Sequence, residues 1–462
     1  MKLLDTRTGK KIPLQTKKRI NMFVCGPTVY DVPHIGNMRT YVAFDIIVRY
    51  LRSTGKKVFY LQNITDIDDK IIDRAKKERV HWKEIARKFE RIYHEHESAL
   101  GIASVTKHAR ATDYIPQIIA QIETLLAKKH AYRIEGDGYY FDISTFADYG
   151  KLSRRTVAQA QDSLSRVDES VHKKNRGDFA LWKFPKHNDP SWDTKLGPGR
   201  PGWHIEDTAI SEHHFGPQYD IHGGSVDLKF PHHEAEIAQQ EASSGKKPFV
   251  KTWLHTGSLN MDGKKMSKSV GNVVTADQFL REHSADVFRY IVCAHHYRSP
   301  IDYTAQLVDQ ARQSLSALEH TIWKLGLVAR HGALTKTTLS LATRSQRAFT
   351  RAMEDDCNTP KALATLFETI NSLEGRLFEL SKKDAEHIQL FLLKNLHVLG
   401  FGTKKSPPVP LKIRALAAAR DVMRRNQQFI QSDTLREKIS ALGYTVEDTP
   451  AGSFVYRNES SR

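Results

Sequence analysis

Residues 19 to 65 read RINMFVCGPTVYDVPHIGNMRTYVAFDIIVRYLRSTGKKVFYLQNIT, and this stretch decides the fold. Residues 19 to 25 form a short, mostly apolar run, as expected of a buried strand. A turn-rich loop, "GPTVYDVPHIGN", follows. From residue 38 the apolar positions Val42, Ile46, Ile47, Tyr50 and Leu51 fall on a helical stripe that Gly55 ends. "KKVFYLQNIT" then predicts a second strand. Strand, helix and strand at this spacing make a βαβ unit, hence a parallel sheet. Ligands of such sheets collect beyond the carboxyl ends of the strands, which is where Cys25 and "PHIGN" lie.

Working outward, residues 70 to about 125 are read as helical and highly charged. The segment from 130 to 200 differs in character. "EGDGYYFDIS" predicts a hairpin, and "KFPKHNDPSWDTKLGPGRPGW" is rich in turn residues. It reads as an insertion between two halves of one nucleotide-binding domain. "YDIHGGSVDLKF" restores a strand, and "WLHTGSLNMDGKKMSKSVGN" predicts a hairpin turning at Asp262-Gly263, then a lysine-rich loop. The periodicity is helical from 304 to about 400, with Thr359 expected as an N-cap and Pro360 in the first turn. "TKKSPPVP" (403 to 410) reads as a linker, followed by a helical pair and a short terminal segment.

The 462 residues suffice for more than one domain, and 40% hydrophobic with 27% charged residues is ordinary for a globular protein. Seventy basic against 53 acidic residues leave a net charge of +17, which favours a polyanionic partner such as nucleic acid. Three cysteines without paired spacing argue against a disulfide framework and for a cytoplasmic location. The first residues lack the apolar core of a signal peptide, and no apolar run approaches the ~18 residues of a membrane span.

"FPHHEAEIA" (230 to 238) predicts a helix with Pro231 in its first turn and His232 and Glu236 one turn apart on one face. Such a pair can hold a metal or be a solvated structural pair, and spacing alone leaves both open. A zinc-protease H-E-x-x-H motif is excluded, because Ile237 stands where its second histidine belongs.

"PHIGN" and "KMSKS" lie more than 200 residues apart on loops at the expected sheet edge. In this order and setting the chain resembles a class I aminoacyl-tRNA synthetase. That family's two signatures stand here as His34-Ile35-Gly36-Asn37 and Lys265-Met266-Ser267-Lys268-Ser269. Gly36 lets the backbone approach a nucleotide, and His34 and Asn37 can donate hydrogen bonds. Asn37 replaces the signature's last histidine. Lys265 and Lys268 can neutralise the triphosphate as pyrophosphate leaves.

"FVCGPTVYD", "NITDIDDKI", "DFALWK", "GPGRPGWHIE", "DIHGGSVDLKFPHHEAEIAQ" and "HYRSPIDYT" narrow the resemblance to the cysteinyl-tRNA synthetases, over nearly the whole chain. The resemblance implies one zinc ion per chain that binds the substrate thiol, ATP as substrate with Mg2+, and cysteine and its tRNA as partners. It implies a monomer without membrane attachment. The matching metal positions are Cys25, Asp207, His232 and Glu236. Asp207 is a departure, since many family members carry cysteine after "GWHIE". Thiolate, carboxylate and imidazole all ligate zinc. The alternative is a merely polar Asp207, with water completing the shell. By the same resemblance Thr65 and Trp203 line the amino-acid pocket, Asp227 and the two signatures bind ATP, and His204, His222 and His233 surround the metal.

The implied architecture is a Rossmann-like parallel-sheet catalytic domain (1–125 and 199–275) split by an insertion (126–198). A stem-contact region (276–310), a helical bundle that binds tRNA (311–402) and a C-terminal anticodon-binding region (411–462) follow. The expected reaction is cysteine activation to the adenylate and transfer to the terminal ribose of tRNA. A rival reading is a paralogue that passes cysteine to an amino-sugar. The basic helical C-terminal third argues for tRNA instead. A non-catalytic binding protein of the same fold has no evident reason to keep both phosphate-handling loops.

Overall fold

The computed structural model describes residues 1–14, 18–155, 170, 172–186, 189–266, 271–402 and 408–458. The chain forms two compact units. The first is 1–308 with 352–360 and 398–400, and the second comprises 309–351, 361–397 and 401–462.

A five-stranded parallel sheet is the heart of the first unit. Its order is Val250–Thr256, Tyr219–Ser225, Arg19–Val24, Lys57–Ile64 and Lys107–Arg110. The expected βαβ unit is present, with the Ile35–Ser53 helix as its crossover. Fourteen of its 19 residues are buried, including the predicted stripe Val42, Ile46, Ile47, Tyr50 and Leu51. It ends as expected, with Gly55 at φ +83° in the left-handed region.

The helical reading of 70 to 125 holds for Asp69–Glu78, Trp82–Ala99 and Ile115–Ala127 but misses a strand. Lys107–Arg110 is the sheet's edge, paired on one side only. It has one fully buried side chain, Ala109, so no apolar run announced it.

Residues 131–201 contribute an antiparallel sheet of Ala131–Ile134, Gly138–Phe141, Phe179–Lys183 and Arg200–Pro201. Its first two strands are the predicted hairpin. The second expected hairpin also forms. Met261 pairs with Lys264 around Asp262-Gly263, whose φ angles of 52° and 72° suit a two-residue turn. Two expected helix starts shift by one residue. Pro231 is the N-cap of His232–Ser244 and not in its first turn. Thr359 is the first residue of Thr359–Asn371, and its hydroxyl donates to the His295 carbonyl (3.3 Å).

The second unit contains most of the Ala305–Leu325, Lys336–Glu354, Thr359–Asn371 and Lys382–Val398 helices and all of Leu411–Arg425 and Phe429–Ala441. The terminal segment is a hairpin, Tyr444–Thr449 with Gly452–Arg457. Arg420 ties helix to hairpin through Asp448 (2.5 and 2.9 Å). Residues 403–407 of the expected linker lie outside the described residues. Among the described residues no helix is long and apolar enough to cross a membrane.

One buried ion pair clamps the crossover helix. Arg289 from Ala285–Cys293 reaches Asp45 (2.9 Å), and both side chains are essentially inaccessible. Asp45 also accepts from Arg49 (2.7 Å) and from the backbone of Ala103 and Ser104 (3.1 Å each). Burial alone would raise the Asp45 carboxyl, but Arg289 and Arg49 outweigh it and hold it low. Removing one partner strands a buried charge. Asp45→Asn should therefore destabilise the protein by about 3–5 kcal/mol, read from the shift in denaturant midpoint. A change below ~1 kcal/mol would show the clamp to be dispensable.

Candidate functional site

The parallel pairing of Arg19–Val24 with Tyr219–Ser225 sets Phe23 opposite His222 and Val24 opposite Gly223. Cys25 continues this register, and its N–H donates to the Gly223 carbonyl (3.0 Å). The Gly223-Gly224 pair is required by packing. A Cβ on Gly223 would lie 2.2 Å from the Phe44 ring, and one on Gly224 would lie 2.8 Å from His233.

Two helices close over Cys25. Asp207 comes from the first turn of Ile205–Phe215, and His232 and Glu236 from successive turns of His232–Ser244. His232 Nε2 lies 3.0 Å from Glu236 Oε1 and 3.1 Å from Asp207 Oδ2, and Cys25 Sγ is 3.8 Å from Glu236 Oε1. The structure thus brings together all four expected ligands, with ligand atoms within 4.8 Å of one another. A second donor set overlaps it. His222 Nε2 and His233 Nε2 approach Cys25 Sγ to 3.3 and 3.0 Å. The far nitrogens of these rings are occupied, His222 Nδ1 by the Tyr219 hydroxyl (2.6 Å) and His233 Nδ1 by His255 (2.8 Å). His204 Nδ1 meets His232 Nδ1 at 2.8 Å, and Trp203 stacks on His232 with centroids 4.3 Å apart.

The electrostatics of this cluster call for a cation. Burial, then Glu236 and Asp207, push the Cys25 thiol well above its ordinary range. Burial likewise raises Glu236 to about 7, against the pull of His232. Burial opposes a charge on His232, yet Glu236 and Asp207 prevail and raise it to about 10. Protonated His232 is thus the counter-charge available within the chain. Asp207 Oδ1 and Glu236 Oε2 still lack hydrogen-bond partners although both are buried. Glu236 Oε2 does lie 3.4 Å from His222 Nε2, too poorly aligned for a hydrogen bond. A thiol, two carboxylates and an imidazole, with orphaned oxygens among them, fit a zinc-type ion.

In front of the cluster opens a cavity of about 440 Å3, lined among others by Cys25, His34, Gly36, Asn37, Trp203, Asp227 and Lys265. His34 is the residue just before the Ile35–Ser53 helix and makes no side-chain capping bond, so the partial positive charge of the helix start faces this region. Lys265 Nζ pairs with Asp227 Oδ2 (3.1 Å). The signature loops meet through the backbone. Ile35 N–H donates to Val274 and Ala276 N–H to Pro33, both at 3.0 Å. Ser267, Lys268 and Ser269 lie outside the described residues. Thr65 is buried and gives its hydroxyl to Glu206, and it is not among the residues that line the cavity.

Sequence reasoning missed Glu206, His255 and Arg39. Glu206 is buried beside Asp207, and its carboxyl is raised well above the usual range by burial and by that neighbour. Arg39 bonds the carbonyls of Gly257, Tyr297 (3.1 Å) and Ser299 across the sheet's end. Arg39 stands among Asn37, Met38, Thr40 and Tyr41, so nothing in the local sequence marked it out. Glu206 and His255 carried no signal either, since their partners are remote in sequence.

Residues 11–313 match the family of tRNA synthetases class I (C) catalytic domains, and 348–403 match the DALR domain. Among curated proteins, the chain is 39% identical over 465 residues to the cysteine--tRNA ligase of Symbiobacterium thermophilum, with 98% of each chain covered. It is 39% identical over 468 residues to that of Methanococcus maripaludis and 40% over 466 to that of Halorhodospira halophila, again with 98% of each covered. Among solved structures, Mycobacterium tuberculosis methionyl-tRNA synthetase with methionyl-adenylate matches at a TM-score of 0.61. The identity is 15%, with 83% of this chain and 90% of that one covered. The Agrobacterium radiobacter LeuRS ternary complex also gives 0.61, at 12% identity, covering 85% and 86%.

Proposed function

The chain belongs to the cysteine--tRNA ligase family and is an aminoacyl-tRNA synthetase, and from that premise we propose how its own residues carry the reaction. The observation that carries the proposal is the double position of Cys25, which belongs both to the buried donor cluster and to the wall of the 440 Å3 cavity. A substrate in that cavity can present its side chain to whatever the cluster holds.

Cys25, Asp207, His232 and Glu236 would hold the zinc ion, because this set includes both carboxylates that carry a buried, unpartnered oxygen. His222 and His233, tied to Tyr219 and His255, would orient Cys25 from outside. When bound, zinc supplies a centre that favours sulfur over oxygen. Cysteine and serine differ by one atom, and ordinary contacts separate such pairs only ~100-fold. Trp203, stacked on His232, walls the same pocket.

ATP with Mg2+ would enter on the side of His34, Gly36 and Asn37, where the helix start favours phosphate. Asp227 and Lys265 flank it. The cysteine carboxylate attacks the α-phosphorus in line and pyrophosphate leaves, its growing charge neutralised by Lys265 and Lys268. A hydroxyl of the tRNA's terminal ribose then attacks the adenylate carbonyl and AMP leaves. Beyond the catalytic halves (1–125 and 199–275), residues 276–310, 311–402 and 411–462 take the tRNA roles expected above. The second unit supports this with exposed Phe429 and Ile430, which follow the basic Arg424-Arg425 helix end. Aromatic side chains beside cations are what unstacked bases bind.

Lys268→Ala should slow adenylate formation about 100-fold, equivalent to ~2.7 kcal/mol, with little effect on cysteine affinity. Pre-steady-state activation kinetics decide, and a raised KM with an unchanged chemical step would remove Lys268 from this role. Phe429→Ala should raise the KM for tRNA several-fold while cysteine-dependent ATP–pyrophosphate exchange stays at the wild-type rate. An unchanged aminoacylation KM would place the tRNA contact elsewhere.

Asp207 is tested by a pair of variants. Asp207→Ala should lower zinc content and cysteine-over-serine selectivity together. Asp207→Cys should keep both, because thiolate supplies the same charge at a bond of ~2.3 Å against ~2.0–2.2 Å. Zinc analysis alongside exchange assays with both amino acids reads the outcome. Full zinc and undiminished selectivity in the alanine variant would make Asp207 a bystander.

A further inference from the structure

Apart from the Cys25 cluster, one more group of converging donors occurs among the described residues: His94, Glu97 and His108. Two elements build it. His94 and Glu97 are one turn apart on Trp82–Ala99, and His108 lies on the edge strand Lys107–Arg110. Glu97 Oε2 is 2.8 Å from His94 Nδ1 and 3.1 Å from His108 Nε2, and the two rings meet edge to face with centroids 4.6 Å apart. We propose that His94 Nδ1, His108 Nε2 and the Glu97 carboxylate form a second metal site, for a divalent first-row ion of the zinc type. It shares no ligand with the Cys25 cluster.

The chemistry and geometry of the three donors fit this class. Two imidazoles with one carboxylate suit zinc and its neighbours, and give poor sites for calcium or magnesium. Tetrahedral bonds of ~2.0–2.2 Å place neighbouring ligand atoms about 3.3 Å apart. Glu97 Oε2 stands within about half an ångström of that spacing from each imidazole nitrogen, and all three donor atoms lie within 4.8 Å of one another. The outer groups needed to hold such ligands are also present. The Tyr93 hydroxyl donates to Glu97 Oε1 (3.0 Å), fixing the carboxylate. Glu90 Oε1 stands 3.8 Å from the far nitrogen of His94 and is itself held by Arg110 (2.8 Å). At that distance Glu90 adds a negative charge beside the ring without a hydrogen bond. Glu97 is buried, whereas the His94 side chain is 39% exposed and lines an open groove of about 1090 Å3. That side offers entry for the ion and room for water as a further ligand. Bound there, the ion would staple the helix to a strand that has a sheet neighbour on one side only.

The experiment uses the full-length protein, dialysed with zinc and then against metal-free buffer, with zinc per chain measured by mass spectrometry. His94→Gln and His108→Gln should each hold one equivalent fewer than wild type, and Cys25→Ser should retain that equivalent. Cobalt(II) added to Cys25→Ser should give d–d bands without thiolate charge transfer, and these should vanish in Cys25→Ser/His108→Gln. Equal zinc content in wild type, His94→Gln and His108→Gln would overturn the site. Failure of the Cys25 assignment appears separately, as no loss of metal on Cys25→Ser.

Discussion

The register between two strands almost two hundred residues apart is the constraint on which the site depends. Met22, Phe23 and Val24 pair in parallel with Ile221, His222 and Gly223. A slip of one residue would turn every side chain to the other face of the sheet. Cys25 would leave the donor cluster, and His222 would leave Cys25. The register is held by packing, since Phe44 of the crossover helix fills the space that a side chain on Gly223 would need. The same helix carries Asp45 to its buried pair with Arg289. Core packing and site geometry thus share one helix.

The donor cluster is expensive for the fold by itself. Desolvation disfavours each anion, and the cluster holds a thiol and two carboxylates against one imidazole, all buried. Burial works against the charged forms of Cys25 and Glu236, while the two carboxylates favour the charged form of His232. A divalent cation would reverse that balance for all of them together, so on the proposed reading affinity for metal and stability would be linked. Asp207 in place of a thiolate keeps the ligand charge and hardens the donor set, so on the proposed reading discrimination rests more heavily on Cys25.

What could be read in the sequence and what could not divide along physical lines. The central βαβ unit was legible because its strands are buried and its helix carries a continuous apolar stripe. Both hairpins were legible because their turn residues are specific. The edge strand 107–110 was not, since one buried alanine among charged residues has no period. His232 and Glu236 stand at helical spacing, and the His34 and Lys265 loops form recognisable words. The partnership of Glu206 with Thr65, or of His233 with His255, depends on tertiary folding that no local pattern encodes. The His94–Glu97–His108 group escaped notice for the same reason, because His108 sits on the strand that was missed.

The two signature loops show why backbone and side chains can divide their work. Met266 N–H donates to Leu259 (2.9 Å), and Ile35 N–H donates to Val274 (3.0 Å). Main-chain bonds thus fasten both flanks of the lysine-bearing loop, one to the strand at 259–261 and the other to the helix start beside His34. Leu259 itself packs against Gly36, whose Cβ would stand 3.7 Å from it and 2.8 Å from His34 Nδ1. The helix start beside His34 and the two flanks of the loop thus share Leu259 and Val274 as neighbours. Main-chain bonds are indifferent to side-chain identity, so geometry is held by one set of atoms and positive charge is supplied by another. On the proposed reading, that separation would leave the lysine charge to act on a developing anion while main-chain atoms hold the flanks.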